Sequence, residues 1–239
     1  MSVPVLSKPA FEHHHNGIGV ESSNPRISWR FLTVDGPDSA PAWTQCGYDL
    51  DIRADGDANS TTYKVDGNRS VLVPWPAPAL ESRQSATVRV RCTGTSAGLA
   101  AETTKWSEWA TVETSLLDRN DWDAAFITSA ARPAPTGTIQ PLRFRKSFTL
   151  PTQSSTVRKA RLYITSLGIF DAYIDGKRVS DELLAPGWTS YNHRLAYRTI
   201  DVTSLLQSGS EHTLCVEVAE GWYAGRLGWE GDHRYLYVY

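Results

Sequence analysis

The sequence predicts an all-β protein built from two β-sandwich domains. Short runs of residues alternate apolar and polar side chains with a period of two, which is the pattern of half-buried strands. Clusters of Asp, Gly and Pro separate these runs, and no segment carries the period of an amphipathic helix. A chain of 239 residues is long enough for two domains of modest size.

The first series of strands lies in the N-terminal half of the chain. Ile27, Trp29 and Phe31 alternate with polar residues in its first strand. The same alternation recurs in three later runs, 48–53, 88–92 and 109–114. Short strands at this spacing, about seven in all, indicate an immunoglobulin-like or fibronectin type III-like sandwich.

An aromatic tetrapeptide, Trp106-Ser107-Glu108-Trp109, precedes the last strand of this series. It resembles the WSxWS box of cytokine-receptor fibronectin domains, in which Trp rings interleave with Arg guanidinium groups. Arg89 and Arg91 lie on the polar side of a nearby predicted strand and can supply those groups, while Ala110 departs from the fifth position of the box. Because aromatic side chains in sandwiches mostly pack, we predict a structural ladder here and not a binding box.

A second series of strands begins near Leu142. Apolar residues alternate with polar ones over 144–148, 160–164, 170–174, 214–218 and 233–239. Asp175-Gly176 predicts a type I′ hairpin, because both central positions of that turn need a positive φ. The segment 201–206 predicts one helical turn, capped by Asp201 or Thr203.

These patterns divide the chain into three parts. We predict an N-terminal extension over 1–23, a fibronectin type III-like sandwich over 24–117, and a second sandwich over 118–239 that is truncated at its C-terminal end. The segment 116–122 is the predicted junction, and 130–137 is a predicted loop.

Composition and charge exclude several classes of function. A net charge of −2 favours neither nucleic acid nor an anionic membrane as a partner. Three cysteines form no disulfide framework, and we expect them to be buried thiols. No run approaches the roughly 20 apolar residues of a membrane span. The first sixteen residues hold no apolar signal segment, which favours the cytoplasm, unless the start codon is misassigned and the protein is secreted.

The acidic residues form no recognisable catalytic set. Hydrolysis of a glycoside usually needs two carboxyl groups about 5–10 Å apart. Most Asp and Glu residues of this chain fall in predicted turns or on the polar side of strands, where they are solvated or cap the turn. We therefore assign no catalytic residue.

Aromatic and glycine-rich loops in the second series are candidates for sugar binding. Flat Trp and Tyr faces match the apolar face of a sugar ring, and Asp and Arg side chains bond to its hydroxyls. The candidate carbohydrate-binding residues are Asp181, Trp188, Trp222, Tyr223, Arg226 and Trp229. The alternative is that Trp188 and Trp222 are buried loop anchors, since Trp is mostly buried.

One ordered string of motifs resembles a known family. The hairpin Asp-Gly, PGWTSY, Arg194, Tyr197, DVT and GWYAGR follow one another between 160 and 227, as in the N-terminal β-sandwich domain of α-L-rhamnosidases. NPRISWRF and KWSEWATVET are similar to the fibronectin-like domain that precedes it in that family, and DWDAAFI is similar to the junction.

The resemblance implies a fibronectin type III-like sandwich followed by a jelly-roll-like sandwich. It also implies an accessory role. In that family a downstream (α/α)₆ barrel hydrolyses terminal α-L-rhamnose with inversion. We expect that barrel to be absent here, and therefore expect no activity from this chain alone. The implied partners are the barrel and rhamnose-containing glycosides. Some domains of this kind bind rhamnose with Ca²⁺, so calcium is a candidate cofactor with no ligands assigned.

Two other functions remain open at this stage. A protein-interaction or scaffold module with no carbohydrate role predicts that Trp188 and Trp222 are buried. An intact glycosidase predicts measurable release of p-nitrophenol from an aryl rhamnoside.

Overall fold

The computed structural model describes residues 3–14, 16–32, 43–96, 100–130, 140–151 and 156–225. The chain divides into two compact units, Met1–Asp123 and Ala124–Tyr239. Regular structure in both units is almost entirely β-strand, which confirms the all-β prediction. The described residues also form two 3₁₀ helices, Arg119–Asp121 and Thr203–Leu205, and the short helix α1, Gly221–Ala224.

Within the described residues, ten strands belong to the first unit. They are β1 (Val5–Leu6), β2 (Ala10–Phe11), β3 (Ile18–Val20), β4 (Ile27–Ser28), β5 (Phe31–Leu32), β6 (Trp43–Ala54), β7 (Thr61–Asp66), β8 (Ser85–Ser96), β9 (Glu102–Thr103) and β10 (Ala110–Thr114). Six of them form one sheet in the order β3-β10-β8-β6-β7, with β9 added beside β8. Two further sheets pair β1 with β5 and β2 with β4.

The central strands of this sheet bury one face completely. Along β8, Ala86, Val88, Val90 and Cys92 are buried while the residues between them are partly exposed. Tyr48, Leu50 and Ile52 of β6 lie in the same core. β8 therefore shows the period-two alternation that the sequence predicts. In β6, Asp51 is predicted on the polar side of the strand and is instead buried.

The residues assigned to an N-terminal extension contribute strands to this unit. β1 pairs with β5, β2 pairs with β4, and β3 pairs in parallel with β10. Strands of two or three residues are too short to show a period in the sequence, which is why this segment gave no strand signal.

Burial was predicted for all three cysteines, and it holds for one. Cys92 is buried, Cys215 is half-buried and Cys46 is exposed. The register of β6 against β8 shifts between Gln45 and Gly47, so a bulge there turns the Cys46 side chain outward. Burial raises the pKa of the Cys92 thiol to about 12, which keeps that thiol protonated at neutral pH.

The described part of the second unit contains six strands. They are β11 (Leu142–Thr149), β12 (Arg161–Ile164), β13 (Ile169–Ile174), β14 (Lys177–Arg178), β15 (Arg198–Asp201) and β16 (Glu211–Ala219). Four form an antiparallel sheet in the order β11-β16-β13-β14, and β12 pairs with β15. Leu162 and Ile164 of β12 pack on the core of this unit, which is formed by Phe170, Ala172 and Ala185.

The two turns predicted for this unit are both present. Asp175 and Gly176 have φ values of +49° and +76° and join β13 to β14 in a two-residue hairpin. The predicted helical turn is the 3₁₀ helix at Thr203–Leu205, but its N-cap residue is Val202 and no side-chain cap hydrogen bond forms, so the predicted cap by Asp201 or Thr203 is not observed. The Asp201 carboxylate does accept the backbone N–H of Thr203 at 3.0 Å. The predicted strand over 233–239 lies outside the described residues.

Candidate functional site

Two pairs of aromatic rings join the two glycine-rich motifs of the second unit. The rings of Trp188 and Trp222 are stacked, with their centroids 6.0 Å apart and their planes 3° from parallel. The rings of Tyr191 and Tyr223 meet edge to face at 5.3 Å. We call these four side chains the aromatic platform. The loop that contains PGWTSY therefore packs against the helix that contains GWYA through these two ring contacts.

Backbone conformation at two glycines places the platform. Gly221 begins α1 with a φ of +48°, and a Cβ there would lie 2.8 Å from Cγ2 of Ile169. The helix therefore packs directly on the start of β13. Gly187, with a φ of +98°, turns the loop immediately before Trp188 and donates its N–H to the carbonyl of Leu184 at 3.0 Å.

The platform is open to solvent on its Trp188 side. The Trp188 side chain is 57% exposed, whereas Trp222 and Tyr223 are half-buried. The expectation of a scaffold module with both Trp residues buried is therefore wrong for Trp188. An offset stack of two indoles presents a broad flat apolar surface, which is the surface that a sugar ring covers.

Charged side chains lie close to this loop. Arg198 of β15 donates from Nε to both carboxylate oxygens of Glu182, at 2.7 and 2.8 Å. A Cβ at Gly187 would lie 3.8 Å from Nη2 of Arg198, so the guanidinium approaches the backbone next to Trp188. Arg178 forms an ion pair with Asp171 and donates to the carbonyl of Glu182 at 3.3 Å.

These ion pairs border a shallow recess. It is lined by Phe170, Asp171, Ala172, Val179, Ser180, Glu182, Ala185 and Ile200. Its floor is apolar and its rim is charged. The carboxylates of Asp171 and Glu182 each accept hydrogen bonds from an arginine.

The structure brings together some of the predicted site residues. Trp188, Trp222 and Tyr223 meet in the platform. Asp181 is exposed and contributes to the field at Arg178, without a ring contact to the platform. Arg226 and Trp229 lie outside the described residues.

Sequence reasoning missed three residues of the site. Tyr191 could have been found, because a Tyr three residues after Trp188 has a counterpart in the Tyr beside Trp222. Glu182 and Arg198 pair across sixteen residues of chain, and nothing in the sequence marks that contact.

Nothing in the described ranges gathers three or more His, Cys, Asp or Glu side chains in a group fit for a metal ion. Within the same ranges, no helix has the length and apolar character that crossing a membrane requires.

The predicted ladder of the first unit is present. The Arg89 guanidinium lies between two rings, 4.7 Å from the centroid of Trp106 and 4.5 Å from that of Trp109. The Arg91 guanidinium lies 4.5 Å from the centroid of Trp106, and that of Arg53 lies 5.5 Å from the centroid of Trp109. Since cations already cover these rings, the ladder is structural, as predicted, and leaves little ring surface for a sugar.

Two family models match the chain, one in each unit. The model described as Rha78A-like, N-terminal immunoglobulin domain matches residues 6–118. The model described as alpha-L-rhamnosidase N-terminal domain matches residues 155–238.

Similar proteins extend well beyond the matched region. The alpha-L-rhamnosidase of Formosa agariphila is 33% identical over 230 residues, which are 91% of this chain and 23% of that protein. The crystal structure of native α-L-rhamnosidase from Aspergillus terreus is similar at 40% identity with a TM-score of 0.86, over 98% of this chain and 26% of the other. The α-L-rhamnosidase structure from Dictyoglumus thermophilum is similar at 25% identity and a TM-score of 0.76, over 92% of this chain and 25% of the other. The chain spans about a quarter of the length of these relatives.

Proposed function

This chain belongs to the α-L-rhamnosidase family through its two N-terminal domains, and on that premise we propose that it is the accessory portion of a glycoside hydrolase that releases terminal α-L-rhamnose. In this proposal the chain cuts no bond itself. Its second unit holds a rhamnoside on the aromatic platform, while the larger remainder of such enzymes carries the hydrolysis.

The stack of Trp188 on Trp222 carries the proposal. Rhamnose has a C–H-rich ring face and a methyl group at C6. When either of them covers an exposed indole, apolar surface is removed from water, which favours binding. Trp188 offers such a surface, and Trp222 behind it fixes the orientation of the ring, so little side-chain entropy is lost on binding.

Polar groups beside the platform suit the hydroxyl groups of the same sugar. Arg198 has donors in fixed positions and Glu182 has acceptors, and each holds the other in place. A sugar hydroxyl both donates and accepts, so a preorganised pair of this kind satisfies it without the cost of a buried unpaired charge.

Apolar side chains next to Trp188 suit a protein partner. Leu183 is 72% exposed and Leu184 is 54% exposed, which is unusual for two consecutive leucines. In our proposal this pair packs against the catalytic portion of the enzyme and places the platform at its rim.

Calorimetry with L-rhamnose tests the sugar-binding role. We expect saturable heat with the full chain, measured once with Ca²⁺ and once with a chelator. Trp188→Ala should weaken binding about fivefold or more, because one lost stacking contact is worth about 1 kcal/mol. Phe126→Ala, which removes another exposed aromatic residue, should leave the affinity unchanged. Absence of heat at millimolar rhamnose in both conditions would remove the sugar-binding role.

The second candidate function is a protein-interaction module without a carbohydrate role, and the exposed Leu183–Leu184 pair favours it. Both functions predict that Leu183→Ser weakens association with the catalytic portion of a family member supplied separately, while Trp188→Ala does not. They differ in the calorimetry, since the interaction module alone gives no heat with L-rhamnose. Assays with an aryl rhamnoside address the third possibility, and we expect no p-nitrophenol release from this chain alone.

A further inference from the structure

Two asparagines of the first unit stand in the tripeptide Asn-x-Ser/Thr. They are Asn59, followed by Ser60 and Thr61, and Asn68, followed by Arg69 and Ser70. This tripeptide is the acceptor signal for N-linked glycosylation when the middle residue is not proline. The signal is short and arises by coincidence, so the position of each asparagine in the fold decides whether it can be used.

Both asparagines occupy exposed turns at the two ends of the same strand. Asn59 lies in the turn that enters β7, and Asn68 lies in the turn that leaves it. Their side chains are exposed, and no hydrogen bond within the described part of the chain holds either amide. A Cβ added at the nearby Gly56 or Gly67 would meet no atom within 4 Å, so the space around both turns is open.

We propose that Asn59 and Asn68 are attachment sites for N-linked oligosaccharides. The side-chain nitrogen Nδ2 forms a bond to the anomeric carbon of an oligosaccharide carried on a polyprenyl diphosphate. The bond from that carbon to the diphosphate oxygen breaks, the lipid diphosphate leaves with the electron pair, and one amide proton is released. Because the transferase acts in the secretory pathway, attached glycans place the chain on that route instead of in the cytoplasm.

The location of the pair also gives the glycans a function. β7 is an edge strand of the six-stranded sheet, and among the described strands it pairs only with β6. An open edge is a template for pairing with another chain. The six residues of β7 span about 20 Å, so a bulky solubilising group at each end screens the whole edge.

Peptide mass spectrometry of the protein isolated from the organism that makes it is the first test. We expect glycopeptides at both positions, each converted to an Asp-containing peptide by an amidase that removes N-linked glycans. Unmodified peptides at Asn59 and Asn68 would overturn the proposal, and a glycan at only one of them would overturn the pairing.

A variant series in a secreting eukaryotic host separates the acceptor signal from the asparagine itself. Thr61→Ala should remove the glycan at Asn59 and leave Asn59 in place, and Ser70→Ala should do the same at Asn68. Asn192→Gln is the matched control, since Asn192 is also exposed in a loop but is not followed by the tripeptide. Retention of both glycans in the Thr61→Ala and Ser70→Ala double variant would contradict the assignment.

Light scattering on warming tests the screening of the edge. The glycan-free double variant should aggregate several-fold faster than the glycosylated parent at equal concentration. Equal rates would show that the glycans do not protect β7.

Discussion

The imidazole of His212 and the carboxylate of Asp175 are hydrogen bonded at 2.6 Å, through Nδ1 and Oδ2, at the tip of the β13–β14 hairpin. The second carboxylate oxygen accepts the backbone N–H of Thr213 at 2.7 Å. The His212 side chain is 4% exposed, and its Nε2 lies within 3.1 Å of both the amide nitrogen and the carbonyl oxygen of Gln207. This pair ties the hairpin to β16 and to the turn before it.

The pair makes the stability of the second unit depend on pH. The hydrogen bond to Asp175 raises the pKa of His212 above its ordinary 6.5, and the bond from His212 lowers the pKa of Asp175 below its ordinary 3.8. The contribution of His212 is complete below pH 6.5 and is lost as the pH rises through the raised pKa. That of Asp175 is complete above pH 3.8 and is lost as the pH falls through the lowered pKa. Urea unfolding should therefore show the second unit losing stability as the pH rises above 6.5 through the raised pKa of His212.

His212→Asn should flatten this pH dependence. His193→Asn is the matched control, because His193 is exposed in a loop of the same unit. If the unfolding free energy of the His212 variant depends on pH as strongly as that of the wild type, other groups cause that dependence.

Asp175→Asn separates the hairpin from the ion pair. Asn tolerates the positive φ of this turn as well as Asp does, so the hairpin should persist. The variant removes the carboxylate whose hydrogen bond and charge raise the pKa of His212, so the loss of stability toward high pH should weaken. Titration of the His212 ring by NMR should show a lower pKa in the variant, and an unchanged pKa would contradict the role of Asp175.

Arg89→Ala removes the centre of the ladder in the first unit. Arg89 separates Trp106 from Trp109 and forms an ion pair at 2.8 Å with Asp51, whose side chain is 4% exposed. The variant leaves that carboxylate buried with Thr62 as its remaining side-chain partner. We expect the free energy of unfolding to fall by about 2–3 kcal/mol. This is less than the cost of breaking a fully buried ion pair, because Arg89 is partly exposed to solvent.

Arg53→Ala is the comparison for this prediction. Arg53 ends the ladder, is exposed and contacts only one of the two rings, so its loss should cost about 0.5 kcal/mol. Urea unfolding of the two variants measures the difference directly. Equal losses would mean that the ladder is not organised around Arg89.

The parts of the fold that sequence could predict are those with a local cause. The alternation of apolar and polar residues predicted which face of β8 is buried, because the backbone of a strand points successive side chains to opposite faces. Asp175-Gly176 predicted its hairpin, because few residues adopt the required φ. The ladder was predictable because Trp106 and Trp109 are close in sequence and two arginines alternate on one strand.

The rest depends on contacts between distant segments. Tyr191 meets Tyr223 across more than thirty residues of chain, and Arg53 reaches Trp109 across more than fifty. Neither residue of such a pair shows, from its own position in the sequence, which residue it will contact. The bulge at Cys46 likewise follows from the register of two whole strands, and no residue near it signals the shift.

Two glycines of the second unit should respond very differently to alanine. Gly168 has a φ of +128°, and a Cβ there would overlap the carbonyl oxygen of Ala219 at the end of β16. Gly176 has a φ of +76° but no atom within 4 Å of the added Cβ. Gly168→Ala should therefore cost more than about 3 kcal/mol, because backbone must move, whereas Gly176→Ala should cost about 1 kcal/mol, from the strained φ alone. Thermal unfolding of both variants measures this, and a Gly168 variant as stable as the Gly176 variant would show that the β12–β13 connection can shift away from β16.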